Sequence, residues 1–274
     1  MIHRLVLLSL TLCSPLPLLA QSPPARPEPK PLRIVHLSDI HACHVEKNPP
    51  GHFPGDPLAR DLVHSLELLH KAVDRINTLK PDAVVITGDL ADRGDDLASL
   101  REVKAELDRL ACPYCPVIGD HDRPEVFEQV FPGKLNYAYD VGEWRLVALG
   151  LSRGRIEKES LTWLPGVLAG SQGRRVAVLT HRPLYCDPLT TELATKLYHV
   201  KLTPGNAEET LALLKAHAEV RLILSGHAHV ARRDRSGHID MLWAPALVGP
   251  PHCFGLVTLD GNSVQCSMIP AGGG

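Results

Sequence analysis

Five short apolar runs, each followed by small polar residues, constrain the fold of this chain more than any other feature. Runs of this length, rich in Val, Ile and Leu, are typical of strands buried in a sheet that is covered on both faces. They are 32–38, 83–87, 115–118, 176–180 and 221–225. A hairpin over 137–149 and closing strands at 241–243 and 254–259 complete the predicted strands.

Helical patterns lie between several of these strands. The first helix is expected to begin at Asp56 and Pro57, a cap followed by proline, and to carry its apolar stripe over 58–76. A second stripe runs over 97–110. Asn206 with Glu209 resembles a capping box that would start a third helix. The sequence therefore predicts an α/β fold.

The first thirty residues resemble an export signal and a linker. A basic start at His3 and Arg4 precedes an apolar run over 5–12, and Pro15 and Pro17 argue against a membrane span. We expect a signal peptide over 1–20, a proline-rich linker over 21–31 and a folded domain over 32–268. The chain is then secreted or periplasmic.

Seven cysteines leave six after the predicted signal peptide. Cys112 and Cys115 have the spacing of a redox motif, but they follow a helical pattern instead of starting a helix. A local disulfide or two buried thiols is therefore favoured over a redox role. For Cys43 and Cys186, a structural disulfide between nearby loops is favoured over a role in the site.

Asp or His follows each of the five apolar runs. These residues are Asp39 and His41, Asp89, Asp120 with His121 and Asp122, His181, and His227 with His229. A single Asp after a strand is usually a turn or a helix cap, and a single His is usually an ordinary hydrogen-bonded residue. Five independent caps need not all be carboxylate or imidazole, so the set indicates a site at the carboxyl ends of the strands, where α/β sheets bind ligands.

The donor set predicts two metal ions. Seven oxygen and nitrogen ligands exceed one tetrahedral site and suit two ions that share a carboxylate. The seven candidates are Asp39, His41, Asp89, Asp120, His181, His227 and His229. Imidazole with carboxylate favours Zn, Mn, Fe or Co over Ca. Two such ions lower the pKa of a bridging water and bind the oxygens of a phosphoryl group during displacement.

These motifs, in this order and spacing, resemble the calcineurin-like metallophosphoesterases over residues 32–260. The stretches 88–94 and 119–127 look most like the class III cyclic nucleotide phosphodiesterase branch. The resemblance implies a four-layer αββα sandwich with a dimetal site at the carboxyl ends of the strands. It also implies two divalent ions, or iron with a divalent ion, as the cofactor.

The resemblance further implies a role for each motif residue. Asp39, His41 and His229 would hold the first metal, and Asp89 would bridge. His181 and His227, with Asp120, would hold the second. His121 would act as a proton donor to the leaving-group oxygen or as a phosphate contact. Asp122 would orient His121.

Asp120 departs from the family pattern, which usually has Asn at this position. An ionised Asp is an anionic ligand without an amide donor. With Asp39 and Asp89 it reduces the charge of a site with two divalent ions from about +2 to about +1, so a phosphate dianion would be attracted less strongly. The hypothesis is that Asp120 tightens the second metal but weakens turnover, or shifts preference toward monoanionic diesters.

The expected function is an exported dimetal hydrolase of small phosphomonoesters or phosphodiesters, with cyclic nucleotides among the candidate substrates, acting through a hydroxide that bridges the metals. The alternative is a weak or silent metal-binding protein on the same fold, which Asp120 favours. A nuclease is disfavoured because the formal net charge is -2 and no basic stripe is evident, so no nucleic-acid partner is expected. The sequence does not predict an oligomeric state.

Overall fold

The computed structural model describes residues 30–44, 60–198 and 201–272. The predicted signal peptide, all but the end of the predicted linker, and the predicted helix start at Asp56 and Pro57 lie outside the described residues. Within those ranges, no helix has both the length and the apolar character that crossing a membrane requires.

The first sheet has five strands in the order β13-β12-β1-β2-β3. Its parallel part consists of β1 (Leu32–Leu37), β2 (Ala83–Thr87) and β3 (Tyr114–Val117). Strands β12 (Cys253–Asp260) and β13 (Ser263–Pro270) add an antiparallel edge, with Ile34 of β1 opposite Val257 of β12. The strands predicted over 32–38, 83–87 and 115–118 are confirmed by β1, β2 and β3.

The second sheet has six strands in the order β10-β11-β9-β8-β5-β4. They are β4 (Tyr137–Val141), β5 (Trp144–Ala148), β8 (Arg175–Leu179), β9 (Val220–Ser225), β10 (Arg232–Ser236) and β11 (Ile239–Trp243). The four central strands are parallel and the two edge strands pair antiparallel. A separate short hairpin joins β6 (Leu151–Ser152) to β7 (Arg155–Ile156).

Six helices within the described part of the chain surround the sheets. They are α1 (Ser65–Leu79), α2 (Leu97–Leu107), α3 (Pro124–Val130), α4 (Lys158–Ala169), α5 (Pro188–Tyr198) and α6 (Ala207–Lys215). The apolar stripe predicted over 58–76 is helical only from Ser65, where α1 begins, because residues 60–62 are not helical. There the Asp61 backbone N–H donates to Val248 O at 2.7 Å, and its carboxylate accepts from the His64 backbone N–H. Those bonds hold this segment outside the helix.

The predicted capping box of α6 is also wrong, although the helix begins where it was expected. The Asn206 side chain makes no cap hydrogen bond. Its amide oxygen accepts from the Ile156 backbone N–H at 3.0 Å, and its amide nitrogen donates to Ile156 O at 2.9 Å. Asn206 therefore joins the start of α6 to β7, a role that local sequence patterns do not reveal.

The two sheets pack face to face, with helices on their outer faces. Ile34 and Val85 of the first sheet share one buried cluster with Leu146, Leu179 and Leu224 of the second. The alternate residues of the same strands face the helices in a separate cluster. Each central strand is thus buried on both faces, which explains the continuous apolar runs. This αββα arrangement confirms the predicted four-layer fold.

No disulfide joins any two of the six cysteines within the described ranges. Burial raises the pKa of Cys112, and it raises the pKa of Cys115 to about 11. A redox cysteine needs the opposite shift, so the structure supports two structural thiols at this motif. Cys43 and Cys186 are not joined, so the predicted disulfide between their loops is wrong.

The free energy of unfolding should decrease as the pH falls below 6.5 because of His36. This residue lies in β1 and contacts Thr87 of β2 through Nε2 at 3.0 Å. Burial lowers the pKa of His36 to about 3, against 6.5 when unfolded. Between these values the unfolded chain binds the extra proton, so this stabilisation is complete above pH 6.5 and is lost as the pH falls toward 3. Near pH 5 the slope is about 1.4 kcal/mol per pH unit for one proton.

Urea unfolding at pH 7, 6 and 5 checks this expectation. His36→Gln should show a shallower pH dependence than the natural chain. His70→Gln, on the exposed face of α1, serves as the matched control and should keep the natural slope. Equal slopes for all three proteins would contradict the assignment.

Candidate metal centre

Five of the seven predicted metal ligands have a left-handed backbone. The φ angles are 52° for Asp39, 43° for His41, 50° for Asp89, 65° for His227 and 56° for His229. Non-glycine residues rarely adopt this region, and the strain costs about 1–3 kcal/mol per residue. Such strain persists only where the surrounding structure enforces it, and it concentrates at functional sites.

Backbone hydrogen bonds hold the loops after β1 and β2 together. The Asp39 N–H donates to Gly88 O at 3.1 Å, and the His41 N–H donates to Asp89 O at 2.9 Å. Glycine is required where the loops touch, since a Cβ at Gly119 would overlap Asp89 and a Cβ at Gly226 would overlap Ser38. The glycines of the motifs therefore permit the close approach of the loops.

The first group of candidate ligands consists of Asp39, His41 and His229, whose ligand atoms lie within 4.8 Å of one another. The Nε2 atoms of His41 and His229 are 3.3 Å apart. His229 Nε2 lies 3.2 Å from Asp39 Oδ1. Asp39 and His41 are buried, and the His229 side chain is 9% exposed. The structure thus brings together the three residues predicted for the first metal.

The second group consists of Asp120, His181 and His227, again within 4.8 Å of one another. Asp120 Oδ2 lies 3.1 Å from His227 Nδ1 and 3.6 Å from His181 Nε2. Asp89 lies between the groups, with Oδ2 at 3.6 Å from His41 Nε2 and 3.3 Å from His181 Nε2. This is the position that a bridging carboxylate needs.

Hydrogen bonds on the far side of three imidazoles, those of His41, His181 and His227, define which nitrogen faces the centre. The His41 Nδ1–H donates to Asp92 Oδ1 at 3.1 Å, and the His181 Nδ1–H donates to Thr87 O at 2.7 Å. For His227, Nε2 donates to a backbone carbonyl at 3.1 Å. Metal-binding histidines are oriented in this way by an outer partner. Each ring therefore presents its other nitrogen to the centre.

The residues fit a pair of cations, because buried ligand atoms here lack ordinary partners. Asp39 Oδ1 and His181 Nε2 are buried and make no well-aligned hydrogen bond with any described residue. Unpaired buried polar atoms are costly and uncommon in native proteins. A bound cation would satisfy both atoms.

The carboxylates also require positive charge beside them. Burial alone would raise the pKa of Asp89, but His181 outweighs it and holds this pKa well below the usual value. Burial would lower the pKa of His181, yet Asp89 raises it to about 10. Such mutual shifts arise when opposite charges share a low-dielectric site. Protons on imidazoles or bound cations can supply that charge.

His121 borders the centre as predicted. Its backbone N–H donates to Asp89 Oδ1 at 2.9 Å, and its ring lies 4.7 Å from the ring of His41. The ring Nδ1–H donates to Asp92 O at 2.7 Å, which leaves Nε2 for other partners. Burial would lower the pKa of His121, but Asp89 and Asp92 raise it on balance. His121 is therefore placed to carry a proton beside the ligand groups.

The predicted role of Asp122 is wrong. Its carboxylate does not orient His121, whose ring is held by Asp92. Asp122 is buried and accepts from three backbone N–H groups at 2.9–3.2 Å, those of Gly119, Leu90 and Ala91. It thus orders the loops that carry Asp89 and Asp120. Asp92 was missed by the sequence analysis, although it lies in the same 88–94 stretch as Asp89.

Arg182 changes the net charge that was expected for the site with Asp120. Its Nε donates to Asp120 Oδ2 at 2.7 Å. The guanidinium returns the charge that Asp120 removes, so the site is again at about +2 with two divalent ions. Arg182 directly follows His181 in the sequence, but no local pattern relates it to Asp120 sixty-two positions earlier.

The two ligand groups open into one cavity of about 710 Å³. His41, Asp89, Asp120, His227 and His229 form its floor together with His121. Paired carboxylate and imidazole groups below an open, basic cavity define the class of a dimetal hydrolase acting on an anionic substrate.

The chain belongs to the calcineurin-like phosphoesterase family, a family of metal-dependent phosphoric ester hydrolases. The family profile matches residues 32–231. The resemblance inferred from the motifs is thereby confirmed. All seven predicted ligands lie within the matched region.

Several relatives are named as cyclic nucleotide phosphodiesterases. A probable cyclic nucleotide phosphodiesterase of Synechococcus sp. is 30% identical over 174 residues, which is 61% of this chain and 65% of the relative. This chain thus spans just under two thirds of that relative's length. A cAMP/cGMP dual specificity phosphodiesterase of Mycobacterium tuberculosis is 24% identical over 88% of this chain and 80% of its own length.

Among solved structures, a dimetal phosphatase of Danio rerio shares the fold. The TM-score is 0.66 with 18% identity, and the match covers 88% of this chain and 96% of that one. At this identity the likeness supports the fold alone. It agrees with the four-layer arrangement of sheets and helices described above.

Asp122→Ala should lower the free energy of unfolding by about 3 kcal/mol, because three buried N–H groups lose their acceptor. Asp122→Asn keeps one acceptor oxygen, so its free energy of unfolding should lie between those of the natural protein and Asp122→Ala. Urea unfolding measures both, with His121→Ala as the comparison that leaves these bonds in place. A stability unchanged in Asp122→Ala would show that the carboxylate does not order the loops.

Asp120→Asn should weaken binding of the second metal at least tenfold, since it leaves the Arg182 cation unpaired beside the ligand group. Asp120→Asn combined with Arg182→Gln should recover much of that affinity. Calorimetric titration with Mn²⁺ or Zn²⁺ gives the number of ions and each affinity. Arg93→Gln, which removes an exposed cation away from the cavity, is the control. A double variant that binds the second metal no more tightly than Asp120→Asn would refute the charge compensation between Asp120 and Arg182.

Proposed function

We propose that this protein is an exported dimetal phosphoesterase that hydrolyses a small phosphomonoester or phosphodiester. The observation that carries the proposal is the convergence of two ligand groups on Asp89, with Asp39 Oδ1 and His181 Nε2 buried and without a well-aligned hydrogen bond to any described residue. Export is supported by the composition of residues 1–20 and places the enzyme in a secreted or periplasmic location.

The residues divide into holders of the metals and a proton carrier. Asp39, His41 and His229 would hold one ion, Asp120, His181 and His227 the other, and Asp89 both. When bound, two such ions supply an activated water for attack at phosphorus and stabilise the charge on the phosphoryl oxygens. Zn, Mn, Fe or Co suits these donors.

His121 would donate the proton that the leaving group needs. Its Nδ1 is engaged by Asp92 O, so Nε2 is the atom available to a substrate in the cavity. The raised pKa of His121 favours the protonated ring that a general acid requires.

The relatives named as cyclic nucleotide phosphodiesterases support a phosphodiester substrate, with a cyclic nucleotide as one candidate. Export would place such an enzyme away from cytoplasmic nucleotide pools. Scavenging of phosphoesters outside the cytoplasm is then an equally suitable role.

A second candidate is a metal-binding protein with little or no turnover. The Asp120 carboxylate is shared between Arg182 and the second ligand group, and this favours the alternative because Arg182 competes for the same oxygen, Oδ2. Retention of all seven ligand positions favours the enzyme. Turnover with metal bound separates the two.

The proposal predicts hydrolysis of 4-nitrophenyl phosphate or bis(4-nitrophenyl) phosphate by protein reconstituted with Mn²⁺ or Zn²⁺. His121→Ala should lower kcat by roughly 10²–10⁴-fold and keep both ions, because it removes the proton donor. Asp89→Asn should lose metal as well as activity. Elemental analysis with the rate assay distinguishes the variants. Two bound ions without hydrolysis of any phosphoester would establish the metal-binding protein instead.

A further inference from the structure

Five basic side chains border the cavity above the ligand groups: Arg60, Arg153, Arg155, Arg182 and Lys201. The whole chain has 29 Lys and Arg against 31 Asp and Glu, so this concentration is local. Two of the five are engaged, since Arg182 pairs with Asp120 and Arg60 lies 3.4 Å from an oxygen of Asp92. The remaining three are Arg153, Arg155 and Lys201.

These three cations have no counter-charge within the described ranges, where no carboxylate lies within 4.0 Å of their nitrogens. All three are exposed on the rim. Arg155 extends along the backbone of Gly205, where an added Cβ would lie 2.7 Å from its Nη1. Like charges gathered without partners repel one another and favour an anion between them.

Arg153 also sits in a strained backbone conformation. It lies with Gly154 at the turn between β6 and β7, and their φ angles are 50° and 68°. Both central residues of such a turn normally favour Gly, Asn or Asp, and a long side chain there carries a cost. Arg153 shares this left-handed geometry with five of the metal-ligand candidates below it. A strained arginine at the edge of the same cavity points to a binding role.

The rim is held rigidly to the metal centre. The Gly205 N–H donates to Gly154 O at 3.0 Å, and the buried Asn206 amide holds Ile156 by two hydrogen bonds. The backbone oxygen of Lys201 accepts hydrogen bonds from Arg182 Nη1 at 2.8 Å and from His227 Nε2 at 3.1 Å. The hairpin is therefore tied to residues 205 and 206, and Arg182 and His227 tie Lys201 to the second ligand group.

We propose that the cavity binds phosphoesters that carry a second anionic group, and that Arg153, Arg155 and Lys201 bind this second group. The inference rests on the proposed phosphoesterase function and names its substrate class. The reacting phosphoryl group would occupy the ligand groups, and a phosphate or carboxylate elsewhere on the same molecule would reach the rim.

The side chain of Arg182 joins the second ligand group to the hairpin that carries Arg153 and Arg155. The Arg182 guanidinium spans them, since its Nε lies 2.7 Å from Asp120 Oδ2 and its Cζ would lie 3.3 Å from a Cβ at Gly154. Two anionic groups separated by a few covalent bonds match this arrangement. A simple diester with a single negative charge would leave the rim cations unused.

Calorimetric binding to the metal-loaded protein tests the inference with a matched pair of ligands, propane-1,3-diphosphonate and propylphosphonate. The natural protein should bind the diphosphonate more tightly by on the order of tenfold. The variant Arg153→Gln/Arg155→Gln/Lys201→Gln should lose that preference and change propylphosphonate affinity far less. Arg155→Gln and Lys201→Gln alone should each lower the affinity for the diphosphonate about threefold. These single variants keep the test open if the triple variant does not fold.

A control variant separates local binding from net charge. Arg101→Gln/Lys215→Gln/Arg235→Gln removes the same charge from exposed positions outside the cavity and should keep the preference. Equal binding of both ligands by the natural protein, or an unchanged preference in the rim variants, overturns the inference.

Parallel hydrolysis assays with 4-nitrophenyl phosphate and bis(4-nitrophenyl) phosphate distinguish this failure from failure of the proposed function. Hydrolysis without a diphosphonate preference overturns the second-anion subsite alone. A preference without any hydrolysis overturns the phosphoesterase function alone. Absence of both overturns both proposals.

Discussion

The architecture of this protein depends on one electrostatic constraint, which is that buried carboxylates at the end of two sheets must have positive charge beside them. Asp39 and Asp89 are buried and have lowered pKa values, so they remain ionised in a low-dielectric site. The imidazoles around them supply this positive charge when they are protonated, or they bind a cation together with the carboxylates. The fold delivers these groups from separate strands because parallel strands end at one edge.

Holding the ligand loops in place has its own structural cost, visible in the left-handed backbone of the ligand residues. The enforcing contacts come from outside the ligand set. Asp122 accepts three backbone N–H groups, and Asp92 holds the rings of both His41 and His121. These two residues act on the position of other residues, and Asp92 also raises the pKa of His121.

Much of this molecule could be predicted from the sequence, and the exceptions share a physical reason. The buried strands and the group of candidate ligands follow from hydrophobic runs that end in Asp or His, which are local signals. The roles of Asp122, Asn206 and Arg182 depend on partners far away in the chain. The start of α1 was missed for the same reason, since a backbone bond from Asp61 to Val248 excludes that segment from the helix.

The pairing of Asp120 with Arg182 links the metal centre to the rim of the cavity. A neutral residue at position 120 would leave Arg182 as an uncompensated cation against the second ligand group, and a neutral residue at 182 would leave an extra negative charge facing the phosphoryl group. Because Arg182 also contacts Gly154 and Lys201, its orientation fixes the hairpin as well as the carboxylate. Asp120 and Arg182 thus act as one ion pair, and the same guanidinium reaches the backbone of the rim at Lys201.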